Sequence, residues 1–297
     1  MQWWKNLKKP GKLSEPLKNH TTFRIGGAAQ LFFRPHDLAE LRQIVRNCSK
    51  RDLKILVLGA GSNLLVSDKG ARAAVIKLDS LAFRKTSKVR NILEAGAGKP
   101  LNQLLTYCRV HGLSGLEFMA GIPGTIGGAL AMNAGVCVDK KLLSIGDLVE
   151  SVRVLDYNGN IKILEGRKLK FGYRRSNLAK YIILSARFKL NFQNSRQIQD
   201  KINDYLVRRR NTRDYSRPNA GCIFKNPPGD SAGRLIDACG LKGKKIGGAV
   251  VSSKHANFIL NQDRCSAKDV LALVKLIQKV VKKKYGVLLE PEIKIWK

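Results

Sequence analysis

The segment Met119-Ala-Gly-Ile-Pro-Gly-Thr-Ile-Gly-Gly-Ala-Leu-Ala-Met-Asn-Ala-Gly135 contains five glycines, four alanines and no charged side chain. Small residues at this density let the backbone approach a large group closely. Pro123-Gly124 predicts a turn, and Thr125 is placed to cap a short helix over residues 127–134. Backbone amides at such a turn bind phosphate or pyrophosphate, whereas a tight helix crossing needs the same small residues for packing. The segment alone leaves both interpretations open.

The composition indicates an ordinary globular protein. The 297 residues are 44% hydrophobic, which is enough for two domains with separate cores. There is no run of about 18 apolar residues, so we expect no membrane span. The basic N-terminus lacks the apolar segment of a secretory signal. Since the six cysteines contain no C-x-x-C pair, the sequence predicts neither a zinc site nor a disulfide framework, and favours a reducing cytoplasm.

The net charge of +33 is the most unusual property of the composition. A chain this basic could bind nucleic acid, or could attract a small polyanionic substrate into a positive cleft. A third interpretation is a lysine-rich, solvated surface. We favour this last interpretation for most of the charge, because the lysines are spread along the whole chain in short clusters such as Lys282–Lys284.

A glycine-containing loop follows the first buried strand of the sequence. The strand Lys54–Leu58 ends at Gly59-Ala60-Gly61-Ser62-Asn63, and a second strand follows at Leu64–Val66. Loops at the carboxyl ends of strands are the usual ligand positions in α/β units. A dinucleotide-binding fingerprint of the Rossmann type is not predicted, because no third glycine follows and the next segment is a strand rather than a helix.

The remaining pattern predicts alternating helices and strands behind a loose, polar lead-in at residues 1–18. Asp37 is expected to cap a helix that begins at Leu38, and Asn158-Gly159 predicts a hairpin turn. A change in composition predicts a domain boundary near residue 192. Further helices are expected at 100–111, 198–213, 231–239 and 266–285, and further strands at 74–78, 91–98, 149–156, 161–164, 181–190, 220–225, 248–251, 258–260 and 293–296.

Seven motifs occur in one order along nearly the whole chain, from about residue 14 to residue 296. They are Thr21-Thr-Phe-Arg-Ile-Gly-Gly27, Leu58-Gly-Ala-Gly-Ser-Asn-Leu-Leu-Val66, Gly121-Ile-Pro-Gly-Thr-Ile-Gly-Gly128, Phe171-Gly-Tyr-Arg-Arg-Ser176, Ala220-Gly-Cys-Ile-Phe-Lys-Asn-Pro227, His255-Ala-Asn-Phe-Ile259 and Leu289-Glu-Pro-Glu-Ile293. With these motifs the chain resembles the UDP-N-acetylenolpyruvoylglucosamine reductase (UDP-N-acetylmuramate dehydrogenase, MurB) family. The connection between Leu190 and Gln199 is too short for the loop with an extra tyrosine that one subgroup has, so the chain resembles the shorter subgroup.

The resemblance implies an α+β fold with three parts. Residues 1–78 and 79–191 would form a two-part FAD-binding domain of the vanillyl-alcohol-oxidase (PCMH) type. Residues 192–297 would form an α/β substrate-binding domain whose C-terminal strand returns to the active site. FAD would be bound without a covalent link, between the two halves of the first domain. The implied FAD-binding residues are Gly59, Ala60, Gly61, Ser62, Asn63, Gly121, Ile122, Pro123, Gly124, Gly127, Gly128 and Ala129.

The reaction implied is the reduction of UDP-N-acetylglucosamine enolpyruvate to UDP-N-acetylmuramate, a cytoplasmic step of peptidoglycan precursor synthesis. NADPH would reduce FAD, hydride would go to the methylene carbon C3 of the substrate, and a proton would go to C2. The expected partners are therefore NADPH and a nucleotide sugar, without a metal, nucleic acid or membrane, and the chain would be a monomer or a weak oligomer.

Three residues match the catalytic positions of the family. Arg174 would bind the substrate carboxylate and stabilise the negative charge that develops beside it, since a guanidinium binds a carboxylate in a bidentate way. Glu292 would support the same intermediate as an acid, although Glu290 lies two residues away and could share its face of a strand. Cys222 occupies the position where many members have a proton-donating serine. A thiol, with a pKa of about 8.5, can also donate a proton.

The two phosphates of UDP predict further basic and polar ligands. Lys225, Arg213 and Asn257 are the candidates for substrate binding, and the basic run 208–213 could equally be a solvated helix end. Two other functions stay open: a flavin oxidase of the same fold with another substrate, and a basic nucleic-acid-binding protein. The joint presence of Arg174, Cys222 and Glu292 favours the reductase over the oxidase. The few aromatic residues near 208–213 give little support to nucleic-acid binding.

Overall fold

The computed structural model describes residues 3–138 and 141–297. Six helices occur in this part of the chain, and each coincides with a helix expected from the sequence. They are α1 (Leu38–Ser49), α2 (Leu101–Val110), α3 (Ile126–Ala131), α4 (Ser195–Thr212), α5 (Ala232–Ala238) and α6 (Ala267–Tyr285).

The same described residues contain 21 strands, most of them short. They are β1 (Lys12–Pro16), β2 (Ala28–Phe33), β3 (Ile55–Leu58), β4 (Leu64–Val66), β5 (Ala71–Lys77), β6 (Thr86–Val89), β7 (Ile92–Gly96), β8 (Leu113–Ser114), β9 (Gly135–Val138), β10 (Lys141–Ser144), β11 (Val149–Leu155), β12 (Ile161–Glu165), β13 (Phe171–Gly172), β14 (Arg175–Ser176), β15 (Ile182–Lys189), β16 (Asn191–Phe192), β17 (Asn219–Cys222), β18 (Lys245–Ile246), β19 (Ala249–Val251), β20 (Phe258–Asn261) and β21 (Lys294–Trp296).

The chain divides into two compact units, and it passes between them several times. The first unit contains Met1–Leu13, Leu31–Ala60 and Ala73–Arg209, and the second contains Ser14–Gln30, Gly61–Arg72 and Arg210–Lys297. The bounds 1–78, 79–191 and 192–297 inferred from the family resemblance stay a prediction.

The larger core of the first unit lies against a five-stranded antiparallel sheet. The strand order is β12-β11-β15-β7-β6. The hairpin predicted at Asn158-Gly159 joins β11 to β12, and the Asp156 carboxylate accepts hydrogen bonds from the backbone N–H groups of Asn158 and Asn160. The apolar face of α2 and the buried residues of α3 fill this core.

A second core of the first unit contains α1 and strands of the sheet ordered β1-β2-β5-β3. The Asp37 carboxylate caps α1 at the N–H of Glu40, as predicted, and the helix buries Leu41, Ile44 and Val45. The expectation that residues 1–18 form a loose lead-in was wrong for the described residues 3–18, which include strand β1. Leu7 is buried in this core, because an apolar side chain in a lysine-rich segment can still pack against apolar residues that are distant in sequence. Residues 1–2 lie outside the described part.

The second unit is an α/β body around one core. Its antiparallel sheet has the order β17-β20-β19-β18, and β4 pairs with β21 in parallel. Helix α6 buries Val270, Leu273, Ile277 and Val281 against this sheet and α5. The helix begins at a capping box formed by Ser266 and Asp269, and it ends at Gly286, whose φ of 71° lies in the left-handed region.

In the part of the chain that is described, no helix is long and apolar enough to cross a membrane. The six cysteines are free thiols. Within residues 3–138 and 141–297, no three histidine, cysteine or acidic side chains come together in a way that could bind a metal ion.

Asp68 provides a test of this architecture, because its carboxylate accepts hydrogen bonds from the first two amides of α6. The distances are 2.8 Å to Ala267 N and 3.1 Å to Lys268 N. Asp68→Ala leaves these amides unsatisfied, and we expect it to lower the free energy of unfolding by about 1 to 2 kcal/mol in urea denaturation. Asp204→Ala, at an exposed position in α4, is the control. Equal effects of the two substitutions would contradict this role of Asp68.

Candidate active site

Arg174 lies in a strained two-residue turn of the first unit. Phe171 pairs with Ser176 and Gly172 with Arg175, so Tyr173 and Arg174 form the tip of a hairpin. The φ of Arg174 is 54°, in the left-handed region that costs a non-glycine residue about 1 kcal/mol. Its guanidinium carbon lies 5.2 Å from the centre of the Tyr173 ring. Strain of this kind is concentrated at functional sites, so the backbone supports the predicted importance of Arg174.

Asn133 and Ser176 fasten this hairpin to the end of α3. The Asn133 amide nitrogen donates to the Gly172 carbonyl at 3.0 Å, and its oxygen accepts from Gly146 N at 3.0 Å. The Ser176 hydroxyl donates to the carbonyl of Ala131 at 3.1 Å. Asn133 is only 4% exposed, so both of its bonds are shielded from water. The turn with Arg174 and the small-residue segment therefore form one body.

The small-residue segment shows the close packing that its sequence offered as one interpretation, and its binding of a ligand stays a prediction. Helix α3 covers Ile126–Ala131, shorter than expected, and the Thr125 hydroxyl accepts from Gly128 N at 3.4 Å as its cap. Gly127 faces the protein, because its N–H donates to Ala97 O at 2.8 Å and a Cβ there would lie 3.1 Å from the Ala97 Cβ. Gly128 is exposed. Gly127 thus serves packing, and the N–H of the exposed Gly128 is engaged by the Thr125 cap.

The loop after β3 meets this segment. A Cβ built on Gly59 would lie 2.8 Å from the Thr125 hydroxyl and 3.9 Å from the Gly128 Cα. The two glycine-containing loops therefore come within reach of each other in the first unit, with Gly59 partly exposed and Gly128 exposed. Loops of small residues with exposed backbone and a nearby hydroxyl are suited to the pyrophosphate of FAD, so the residues present fit this cofactor.

The other predicted FAD-binding residues are placed differently. Gly121 and Pro123 are exposed, and a Cβ on Gly121 would lie 2.8 Å from the Arg209 Cδ. Gly61 belongs to the second unit and accepts a hydrogen bond from Thr22 N at 3.2 Å. Asn63 donates from its amide to the Glu292 carbonyl at 3.3 Å. The far end of this loop therefore also supports a predicted catalytic residue.

In the second unit, the segment with Cys222 runs antiparallel to the segment with Glu292. Glu292 N donates to Ile223 O at 2.7 Å, and Lys225 N donates to Glu290 O at 2.9 Å. The side chains of Lys225 and Glu290 form an ion pair with an N–O distance of 2.5 Å, and that of Glu290 is 69% exposed. Glu290 therefore forms an exposed ion pair, whereas Glu292 is partly buried.

Asn257 is buried and holds the segment after Cys222. Its amide oxygen accepts from Phe224 N at 2.9 Å, and its amide nitrogen donates to Phe224 O at 2.8 Å. Ile223 N also donates to the backbone carbonyl of Asn257 at 2.9 Å. With 3% exposure and both amide groups bound to the backbone, Asn257 positions the segment.

A bulge directly precedes Cys222 in β17. Asn219 pairs with Leu260 and Cys222 with Phe258, so the register shifts between the two pairs. The φ of Gly221 is 75°, and its N–H donates to the Asn219 side-chain oxygen at 3.0 Å. Bulges of this kind redirect a side chain beside an active site.

Arg213 lies beside Cys222 and His255. Its Nη1 is 3.3 Å from the Cys222 Sγ and 2.8 Å from the His255 Nε2, and its guanidinium carbon is 5.6 Å from the centre of the Phe258 ring. Burial and the charge of Arg213 lower the pKa of His255 to about 4. The imidazole is therefore neutral at neutral pH. The sequence analysis quoted His255 within a motif but gave it no role, because its proximity to Arg213 depends on tertiary structure.

Comparison with known proteins identifies the family of this chain. Residues 29–165 match a family model described as an FAD binding domain, and residues 213–296 match the model of the UDP-N-acetylenolpyruvoylglucosamine reductase C-terminal domain. The chain is 44% identical to the UDP-N-acetylenolpyruvoylglucosamine reductase of Caldanaerobacter subterraneus subsp. tengcongensis, over 98% of this chain and 96% of the relative. The chain belongs to the UDP-N-acetylenolpyruvoylglucosamine reductase family.

Two further relatives extend this result. The reductase of Moorella thermoacetica is 42% identical over 95% of this chain and 92% of its own length. The crystal structure of the MurB reductase from Thermus caldophilus is 35% identical and superposes with a TM-score of 0.81, over 98% of this chain and 100% of that one. The predicted family and fold class are confirmed. The predicted catalytic, FAD-binding and substrate-binding residues remain predictions.

The neutral state of His255 leads to a direct test by NMR. We expect the ring signals of His255 to titrate near pH 4, far below the ordinary histidine pKa of about 6.5. Arg213→Gln removes the adjacent cation and should raise the pKa of His255. The variant His255→Gln assigns the signal. A titration of His255 at the ordinary histidine pKa of about 6.5 would contradict its burial beside Arg213.

Proposed function

We propose that this chain reduces UDP-N-acetylglucosamine enolpyruvate to UDP-N-acetylmuramate, with NADPH as the electron donor and non-covalently bound FAD as the cofactor. The observation that supports the proposal most strongly is the hairpin of Arg174, held to the glycine-rich segment by Asn133 and Ser176. It links the residue expected to bind the substrate carboxylate to a loop expected to bind FAD. The full-length similarity to reductases of this name supports the choice of substrate.

The FAD-binding role is proposed for the two loops at residues 59–63 and 121–129. Their glycines permit close approach of the backbone, and their amides suit a pyrophosphate. When bound, FAD supplies the hydride that reaches the methylene carbon of the enolpyruvyl group. The protein's own task is then to bind the substrate, to stabilise the charge that develops next to its carboxylate, and to deliver a proton.

Arg174 would bind that carboxylate. Its guanidinium is always charged and offers donors in one plane, which matches a carboxylate better than a lysine ammonium does. As hydride arrives at the methylene carbon, negative charge develops at C2 and spreads to the carboxylate. A cation held in place before the reaction stabilises this charge without reorganisation of solvent.

Cys222 would then donate the proton to C2, and Glu292 would support the same step as a second acid. Cys222 and Glu292 lie on two segments of the second unit that are joined by backbone hydrogen bonds. A thiol is a stronger acid than the serine hydroxyl that many family members use, so replacement of serine by cysteine preserves the role.

The nucleotide part of the substrate would be recognised by Lys225 and by the segment that Asn257 positions. Lys225 forms an ion pair with Glu290, so phosphate binding there would compete with, or join, this pair. We propose that the enzyme is cytoplasmic, and the free state of its six cysteines supports a reducing compartment. It would act as a monomer or weak oligomer without a nucleic-acid or membrane partner.

The proposal is tested by anaerobic absorption spectroscopy of the purified protein. We expect a flavin spectrum that bleaches with NADPH and recovers when the enolpyruvyl nucleotide sugar is added. A flavin that bleaches but recovers only with oxygen would contradict the proposed substrate and favour an oxidase. A protein that cannot be loaded with FAD would contradict the proposal altogether.

Because Arg174 has a left-handed backbone conformation, replacement by glycine can remove its side chain without a loss of stability. In Arg174→Gly the left-handed φ costs nothing, so the variant should fold at least as stably as the wild type and keep its flavin spectrum. Loss of the carboxylate ligand should lower kcat for the enolpyruvyl sugar by about a hundredfold or more.

Arg175→Ala, at the neighbouring exposed arginine, is the matched control and should keep most of the activity. Loss of flavin from Arg174→Gly would show that Arg174 is structural. Retention of full activity would contradict its catalytic role. Denaturation curves, flavin spectra and steady-state kinetics make these comparisons.

A further inference from the structure

The contacts of Arg213 differ from those expected of a phosphate ligand. Its Nη1 carries two hydrogens, and the structure provides an acceptor for each. One acceptor is the Sγ of Cys222 at 3.3 Å, and the other is the Nε2 of His255 at 2.8 Å. A guanidinium has no acceptor atom, so the Nε2 of His255 is the acceptor in this contact. The Nδ1 of His255 lies 3.2 Å from the backbone N of Asn257.

Three features fix the guanidinium in this position. His255 accepts one hydrogen of Nη1, the Phe258 ring lies 5.6 Å from the guanidinium carbon, and the rings of His255 and Phe258 are 4.7 Å apart. The bulge at Gly221 directly precedes Cys222, whose backbone pairs with Phe258 of β20. Arg213 is therefore held at the sulfur by neighbours on β20 and on the segment before it.

We propose that Arg213 is a positioning residue for proton donation by Cys222, and that neutral His255 holds Arg213 in place. This inference rests on the proposed function. In the step, the Sγ–H bond breaks and a C2–H bond forms, while the electron pair of the S–H bond stays on sulfur as a thiolate. Arg213 stabilises that thiolate, since a hydrogen bond from a cation strengthens as its acceptor becomes charged. Water then returns a proton to sulfur before the next turnover.

Other charges near Arg213, Cys222 and His255 have smaller effects on the pKa of His255. Lys242 lowers and Asp214 raises the pKa of His255, after burial and Arg213. Lys225, Glu290 and Glu292 lie on the two segments paired beside Cys222. Lys225 and Glu290 form an ion pair with each other. Arg213 donates a hydrogen bond to the Cys222 sulfur, so the removal of Arg213 should change the acidity of the thiol directly.

The first experiment measures the thiol itself. The FAD-loaded enzyme is alkylated with iodoacetamide over a range of pH, and each cysteine is followed by peptide mass spectrometry. The exposed Cys137 is the internal standard. We expect the alkylation midpoint of Cys222 to lie about one to two pH units below that of Cys137, and Arg213→Gln to abolish this difference. His255→Gln should reduce it. Lys244→Gln, which removes an exposed positive charge from the same unit, should leave it unchanged.

The second experiment separates positioning from substrate binding. For Arg213→Gln we expect kcat for the enolpyruvyl nucleotide sugar to fall by about tenfold or more, with its KM changed less than about threefold. The rate of flavin reduction by NADPH should not change. A large increase in KM, together with an unchanged alkylation midpoint of Cys222, would overturn the inference and make Arg213 a phosphate ligand.

The failure of the proposed function would appear in a different measurement. A wild-type enzyme that does not reduce the enolpyruvyl sugar would contradict the reaction, whereas the alkylation profile would still report the contact between Arg213 and Cys222. An alkylation midpoint of Cys222 equal to that of Cys137 in the wild type would overturn the inference even in an active reductase.

Discussion

The backbone pairing between the segments at 223–225 and 290–292 is the constraint on which the site in the second unit depends. Two hydrogen bonds, from Glu292 N to Ile223 O and from Lys225 N to Glu290 O, join residues separated by more than 60 positions. Asn257 clamps Phe224 from the other side with both ends of its amide. The two bonds of Asn257 are buried and have few competing partners in water, so they fix the segment that directly follows Cys222.

The first unit uses a different device for Arg174. Its turn is strained, and the strain is maintained by the bonds of Asn133 and Ser176 to neighbouring backbone. A flexible loop would have relaxed, and it would have lost the fixed orientation of the guanidinium. In both units, therefore, a buried or partly buried polar side chain that does not itself react holds the segment next to a residue that is proposed to react.

The sequence predicted what depends on local pattern. The helix caps Asp37 and Thr125, the hairpin at Asn158-Gly159 and the six helices all follow from neighbouring residues, and the structure confirms them. Ordered motifs also predicted the family correctly. The lead-in was mistaken because burial of Leu7 depends on a distant surface.

The supporting residues of the site could not be predicted in the same way. Asn133 and His255 act through partners that are distant in sequence, and neither has a local spacing that indicates a role. Arg213 appeared to be one of several arginines at a helix end, and only its contact with the Cys222 sulfur distinguishes it. Long-range contacts thus determine which of several similar side chains has a function.

The central claim is that Cys222 supplies the proton in the second half of the reaction. The most direct test is the anaerobic rate at which the enolpyruvyl nucleotide sugar reoxidises the reduced flavin in Cys222→Ala and Cys222→Ser. We expect Cys222→Ala to lower this rate by about a hundredfold or more, Cys222→Ser to restore a substantial part of it, and flavin reduction by NADPH to be unchanged in both. Reoxidation of the Cys222→Ala flavin at the wild-type rate would contradict the account.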